Sequence, residues 1–492
     1  MAEPAVDLPA DQQQTLERIL WERTGIVLQS YQKEGLGQVL TSAREHFGYE
    51  TIPAYLDALA RATSTAQEME YLIARVTVGE SYFFRDDEQL RFLREAWLPQ
   101  VVKAKEARGE RSLRVWSAGC AAGQEIYTLA MLFEELVPNP QQWSFHLLGT
   151  DINTDSLSQA IRGQYSAWSL RSTSAEVQER YFDRTGEQYI ISPQLRGLVK
   201  FFYLNLLEDK FPTMLTGTNA MDLILCRNVF IYLDPTLLPG VMEKFHASLA
   251  PGGHLLLGAS DLAAEPVEGL ALQQWGNTFC FRRDDGAAAP MPQPPRAPSP
   301  ATPPEPQIQH PEPAPEPAAN AGTASPAKYE DVIQLLREER WDEVVRKVDE
   351  HLSRDGASAE LAQHKAKALA NLGALDEAAK STQQSIDLAP LDKHTYLIKA
   401  LVMLELNDLG RTEEALKGAL FLDPNFVEAH FQLGLLQLRQ GDRQAGMRSL
   451  SNALELAEAI EPDRKVHNAP GMEFGRLADI LRKEMHVYKG EK

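Results

Sequence analysis

The run Arg114-Val115-Trp116-Ser117-Ala118-Gly119-Cys120-Ala121-Ala122-Gly123-Gln124-Glu125 constrains the fold most. A short β-rich stretch drops into a turn of glycine and alanine and emerges as a helix, Glu125 to Glu135. Small residues at such a turn remove the side chains that would keep a ligand away from the backbone. Downstream, Phe145-His146-Leu147-Leu148-Gly149-Thr150-Asp151 reads as a second apolar strand ending in a carboxylate. An acid at that strand tip is where the diol of a nucleotide ribose is held. Together the two features point to a nucleoside cofactor, although a tight packing turn would account for Gly119 and Gly123 alone.

The surrounding sequence alternates strand and helix from 81 to 285, with strands expected near 113–117, 144–149, 198–204, 221–226 and 254–257. This predicts an α/β domain with a helix-covered parallel sheet and a ligand at the carboxyl ends of its strands. Residues 1–80 read as a small helical domain: Leu16, Ile19 and Leu20 share one face, and Tyr55, Leu56 and Leu59 another. Asp183 to Ile191 reads as a hairpin within an insertion near 181–202. Residues 286–327 are dominated by proline and alanine, a composition that cannot bury enough apolar surface to order itself and predicts an extended linker. From 328 to 492 the chain is helical and periodic. Ala366, Ala400 and Gly434 recur at a spacing of 34, as do Ser385, Ala419 and Ala453, and as do Pro390 and Pro424. Small residues at two fixed phases with a closing proline are the tetratricopeptide (TPR) signature and predict an all-α solenoid over about 359–458, with 329–355 a degenerate earlier pair. The segment Arg411-Thr412-Glu413-Glu414-Ala415 reads as slipped by about three residues in phase. Tethered by a proline-rich linker, the repeats are expected to have no fixed orientation and to offer their groove to a protein or peptide partner.

A chain of 492 residues has room for several domains, and its net charge of −20 is shared between 1–285 and the remainder, which contribute −12 and −8. No clustered positive face is visible, so nucleic acid is excluded as a partner. Cys120, Cys226 and Cys280 are too dispersed for a CxxC pair and no histidines sit at metal-helix spacing, so neither a disulfide scaffold nor a metal site is expected. The amino terminus lacks a basic leader and no apolar run approaches the length of a membrane span, which predicts a cytoplasmic protein with no direct membrane insertion.

Four ordered blocks then carry a resemblance. They are Ser81-Tyr82-Phe83-Phe84-Arg85-Asp86; Val115 to Cys120 with Gly123-Gln124-Glu125-Ile126-Tyr127; Gly149-Thr150-Asp151-Ile152; and Cys226-Arg227-Asn228-Val229-Phe230-Ile231-Tyr232. A weaker fifth is Gly253 to Ser260. Across residues 81–260 the chain resembles the CheR family of chemotaxis receptor methyltransferases, S-adenosyl-L-methionine-dependent protein-glutamate O-methyltransferases. The resemblance implies a Rossmann-like methyltransferase domain, S-adenosyl-L-methionine as cofactor, and the cytoplasmic helical bundle of a methyl-accepting chemotaxis receptor as partner. The chain departs from the family pattern in Gln124 and Ile126, where the family has an acid and a proline, and in Gly258-Ala259-Ser260-Asp261, where it has Gly-His-Ser-Glu. Its N-terminal domain retains only Lys33 and Arg44 of the family's basic second helix.

The resemblance places Arg85 and Tyr232 at the reaction centre with Arg227 nearby. It implies cofactor contacts from Ser81, Arg85, Ala118, Gly119, Glu125, Asp151, Asn205, Leu206 and Asn228. Charge gives these positions their chemistry: Asp151 accepts from ribose hydroxyls, Glu125 faces the ammonium or sulfonium side, and Arg85 offers a fork to a carboxylate. Each has a plainer alternative, with Arg85 an interdomain ion-pair residue, Asp151 a helix cap, and Tyr232 a core tyrosine. Cys120 and Cys226 read as packing thiols with no base to activate them. The competing reading for the whole chain is a catalytically weak scaffold that acts through its repeats.

Overall fold

The computed structural model describes residues 8–33, 35–61, 66–77, 79, 81–261, 267–284, 329–469 and 471–489. The expected linker at 286–327 lies outside the described residues.

The central sheet contains β1 (Ser112–Ala118), β2 (Ser144–Asp151), β6 (Val199–Tyr203), β7 (Met221–Cys226), β8 (Leu249–Leu257), β9 (Leu270–Trp275) and β10 (Thr278–Arg283). Its order is β6-β2-β1-β7-β8-β10-β9. The five strands from β6 to β8 are parallel, as the alternation of strand and helix requires. The sheet is nevertheless mixed: β10 runs antiparallel to β8 and hairpins onto β9, two strands absent from the sequence reading. Their partial exposure explains the omission, since an edge hairpin with exposed and half-buried positions has no continuous apolar run. Strands β1 and β7 are buried almost throughout and read as such in the sequence.

A separate three-stranded sheet, ordered β3 (Gln164–Ser166), β5 (Gln188–Ile191) and β4 (Phe182–Thr185), stands beside it. It begins at Gln164, ahead of the 181–202 boundary expected from sequence, and β6 belongs to the main sheet.

The N-terminal helices, among them Ala10–Thr24 and Leu36–Phe47, sit over the strand ends. They hold the loop after β7: Val27 N–H donates to Tyr232 O at 2.8 Å, Asp234 N–H to Gly25 O at 3.0 Å, and Trp21 Nε1–H to Asp234 Oδ2 at 2.8 Å. Lys33 pairs with Glu17, and Arg44 with Glu45 and the carbonyl of Glu50, so both cations are engaged within the domain.

From Glu330 on, helix pairs follow one another: 330–337 with 341–355, 359–371 with 375–388, 393–405 with 409–422, and 427–439 with 443–458. Second helices begin at Leu375, Leu409 and Arg443, a constant spacing of 34, so the phase slip expected at 411–415 is absent. Thr412 occupies the helix-contact position there and is fully buried.

The repeats are docked, against the expectation of a loose tether. Met214 packs into the apolar clusters of two neighbouring repeats. Gln432 Nε2 donates to Leu215 O at 2.9 Å, and Asn219 Nδ2 to Ala370 O at 3.0 Å. Glu405 enters the catalytic domain to pair with Arg114 and with His146 Nδ1, the latter at 2.7 Å. Ala370, Glu405 and Gln432 all lie on the first helix of their pair, so this face of the solenoid meets the catalytic domain. The final helix Phe474–Lys489 continues the attachment: Tyr203 N–H donates to Glu484 Oε1 at 2.7 Å, Arg476 pairs with Asp209 at 2.6 Å, and Ser158 Oγ donates to Val487 O at 2.9 Å. Linker composition sets reach but carries no information about whether two folded surfaces match, which is why the sequence reading left the orientation open.

Candidate active site

The turn after β1 is as constrained as its composition suggests. Gly119 has φ +78°, and a Cβ there would fall 2.4 Å from Val229 Cγ2. Gly119 and Cys120 N–H both donate to Thr150 O, which ties the turn to the end of β2. Gly123, at φ +84°, caps the helix Gln124–Leu136 that follows.

Asp151 closes this arrangement. Its Oδ2 accepts from Ala121 N–H and its Oδ1 from Asn153 N–H, each at 2.8 Å. Burial raises its carboxyl above the ordinary value, while these N–H groups oppose the rise. Each carboxylate oxygen keeps a second lone-pair direction for a hydroxyl. The helix Thr154–Arg162 is capped by Asn153, so Asp151 is not its cap.

Two abutting cavities open at the carboxyl ends of the strands and share Gly119, Ala121, Asn228 and Tyr232. The larger, about 260 Å³, is lined by Ser81, Arg85, Glu125 and Arg227. The smaller, about 110 Å³, is lined by Asp151, Asn205 and Leu206, with Ile152 and Val229 among its apolar walls. A polar compartment beside an apolar one that ends in Asp151 matches the two ends of an amino-acid nucleoside. Ala118 is buried in β1 and lines neither cavity.

Within the polar compartment, Glu125 is held from two sides. Ser117 Oγ donates to its Oε1 at 2.7 Å and Arg227 Nη1 to its Oε2 at 3.1 Å. Arg227, with its side chain only 6% exposed, also donates to Arg85 O at 2.9 Å and so links the 81–86 block to the strand ends. That block is strained, with Phe84 at φ +57° and Asp86 at φ +71°. Burial pushes the thiols of Cys120 and Cys226 well up, which keeps both protonated and inert.

Asn205 lines the smaller cavity, and its side chain also has a structural role. Its Nδ2 donates to Arg23 O at 2.9 Å and to Glu208 Oε2, and its Oδ1 accepts from Leu207 N–H. The side chain therefore ties the N-terminal domain to the loop after β6 while lining the smaller cavity.

Two further residues were not singled out as site residues. Asp261, buried in the Gly258-Ala259-Ser260-Asp261 departure, accepts from the N–H groups of Asn228, Ile231 and Gly258, and so sets the loop that carries Asn228 and Tyr232. Arg171 lines the larger cavity with its guanidinium 3.7 Å from the Tyr82 ring centre and 4.3 Å from that of Trp168. Only the departure from the family pattern marked Asp261, and nothing local marked Arg171.

A mixed Rossmann-like sheet, a glycine turn and an acid at the tip of β2 define a nucleoside-cofactor enzyme of the doubly wound class. A model of the CheR methyltransferase SAM-binding domain matches residues 79–270. Chemotaxis protein methyltransferase 1 of Pseudomonas aeruginosa is 31% identical over 252 residues, covering 50% of this chain and 88% of that protein. The chemotaxis protein methyltransferase of Borreliella burgdorferi is 29% identical, covering 52% and 89%. The probable biofilm formation methyltransferase WspC of Pseudomonas putida is 28% identical over 450 residues and covers 89% of this chain and 96% of that protein, repeats included. The chain belongs to the CheR methyltransferase family. Among solved structures, a MamA double mutant covers 27% of this chain at 21% identity and TM-score 0.26, too slight a likeness to carry weight beside the helix pairs themselves. No described helix is long and apolar enough to cross a membrane, and among the described residues no group of His, Cys, Asp or Glu could hold a metal.

Proposed function

We propose that this methyltransferase esterifies glutamate side chains on the helical bundle of a chemoreceptor-type signalling protein. The observation that carries this is the larger cavity: three guanidinium groups, Arg85, Arg171 and Arg227, line it, and Glu125 is the only carboxylate among its lining residues. The cofactor supplies a methyl group on a sulfonium, and Gly119, Asp151, Leu206 and Asn228, which line the cavities, would hold it. A glutamate carboxylate has a pKa of about 4.3 in water and is ionised at neutral pH, so it attacks without a general base. Transfer then needs only alignment and desolvation, effects that supply roughly 7–11 kcal/mol. Arg85 and Arg171 offer forked donors to the incoming carboxylate, while Leu90, Leu129 and Ile231 wall the cavity against water. Glu125, already neutralised by Arg227, contributes a fixed acceptor towards the cofactor's amino-acid end. Tyr232 lies where the two cavities meet, beside the reacting centre.

The relatives named for chemotaxis support a receptor as substrate. The relative that matches along nearly the whole chain is named for biofilm formation, which favours a receptor of a surface-growth array over one of a swimming array. A protein or peptide partner for the repeats belongs to this reading. With the first-helix face turned to the catalytic domain, it would meet the opposite side, where Phe421 is 87% and Leu391 81% exposed.

The test is radiolabel transfer from the cofactor to a receptor's cytoplasmic fragment. Label released by mild alkali as methanol supports a glutamyl ester, and alkali-stable label overturns it.

A further inference from the structure

Between the catalytic domain and the repeats lies a cavity of about 420 Å³ that shares no lining residue with the cofactor cleft. Its cations come from both sides: Arg196 and Lys200 from the catalytic domain, Arg439 and Arg443 from the repeats. Glu405 is the only carboxylate among its lining residues, and it is already committed to Arg114 and His146, with Lys200 Nζ 3.8 Å away. Arg439 gives Nη2 to Asn407 Oδ1 at 2.9 Å, while its Nη1 is buried with no acceptor. In a chain of net charge −20 this is a local surplus of positive charge, walled by apolar side chains such as Leu404 and Leu435. Arg443 gives Nη2 to Tyr488 O and Arg196 Nη1 to Arg162 O, so both are fixed at the wall. A buried guanidinium N–H without an acceptor, as at Arg439 Nη1, is costly, and a guanidinium fork is the donor geometry that phosphate oxygens fit. Burial also pushes Lys200 down to about 8 and Arg439 below its usual value, with Glu405 only partly opposing both shifts.

We propose that this cavity is a binding site for a small phosphate-bearing anion, held jointly by Arg196 and Lys200 of the catalytic domain and Arg439 and Arg443 of the repeats. Its volume lies within the range of small-molecule sites. An occupant would bridge the two parts of the chain and add to their docking. The site is separate from methyl transfer and does not depend on which acceptor the enzyme uses.

The experiment is calorimetric titration of the full chain with inorganic pyrophosphate while S-adenosylhomocysteine saturates the cofactor cleft. One-to-one saturable binding is expected, weakened about tenfold by Arg439→Gln and by Lys200→Gln, the loss of one charge-assisted hydrogen bond. Arg184→Gln, on the β3-β5-β4 sheet, leaves it unchanged. No saturable binding up to about 10 mM overturns the proposal, as does equal binding by both cavity variants. Should those variants fail to fold, Arg443→Gln at the half-buried cavity rim replaces them, read alongside the unfolding midpoint of the unaltered chain. Pyrophosphate is expected to raise that midpoint, and an equal rise with sodium chloride at matched ionic strength overturns the site.

Discussion

Glu405→Ala isolates the ionic contact that docks the repeats. The carboxylate is 9% exposed and faces Arg114, itself 4% exposed, His146 and Lys200. Burial alone would raise its carboxyl, but Arg114, His146 and Lys200 hold it well below the usual value. Removing one member of a buried ion pair costs about 3–5 kcal/mol, because the remaining charge stays desolvated. Arg114 keeps Nε–H on Asn219 O at 3.0 Å and Nη2–H on Gly217 O at 3.1 Å, so the lower end, about 3 kcal/mol, is expected. That is roughly 150-fold in the docking equilibrium. The assay is hydrogen exchange across residues 211–220, which should accelerate by a similar factor while the sheet core stays protected. The pH dependence has a defined sign. The folded carboxyl lies below its ordinary 4.5, so its contribution is complete above that value and is lost as the pH falls through the depressed one. Unchanged exchange in Glu405→Ala at neutral pH would refute the reasoning.

Asp151→Ala should weaken S-adenosylhomocysteine binding by roughly 10- to 100-fold, the loss of a charged acceptor, as read by calorimetry. Arg85→Ala should abolish turnover on a receptor fragment with circular dichroism unchanged; an unfolded variant would instead support an interdomain ion-pair role. Asp261→Ala leaves three backbone N–H groups without their acceptor and should lower turnover and the unfolding midpoint together, by about 2–4 kcal/mol in denaturant titrations. Burial lifts the Glu484 carboxyl to about 8, so its contribution to stability declines as the pH rises from its ordinary 4.5 towards 8. Glu484→Gln keeps an acceptor for Tyr203 N–H and should flatten that decline, and an unaltered pH profile would show that Glu484 is not its source.

The parts legible in the sequence are those where local pattern and tertiary environment agree. Strands β1 and β7 are buried on both faces, so apart from Arg114, Ser117 and Asp222 their buried residues are apolar and read as strands in the sequence. Asp151 and Gly119 were visible because a turn and a strand tip are local features. Asn205 sits at the right strand end, yet its amide is engaged by Arg23 O, 182 residues earlier, a contact no local pattern encodes. Asp261 joins residues 33 and 30 positions away. Arg114 and Glu405 are 291 apart, so the residue that opens the cofactor-binding segment is also the one that receives the repeats.

That double duty links the two halves of the molecule. Arg114 lies near the start of β1, which leads at its far end into the Gly119 turn, and its backbone N–H donates to Asp222 Oδ2 near the start of β7. Asp222 in turn pairs with Lys105 at 2.9 Å. Glu405 therefore docks at the amino-terminal end of β1 and β7, while cofactor and acceptor meet at the carboxyl end. A strand is stiff along its length, and β1 is in register with both neighbours along the centre of the sheet. Through Glu405 the repeats thus grip β1 and β7 at the end opposite the cleft, while the final helix attaches at the carboxyl end of β6 through Tyr203 and Asp209. None of these contacts involves Tyr82, Arg85, Arg171 or Tyr232, which line the larger cavity. Docking of this kind fixes where the outer face of the repeats lies relative to that cavity. A partner bound there would be held in a set position relative to it, which a loose tether of the same length could not achieve.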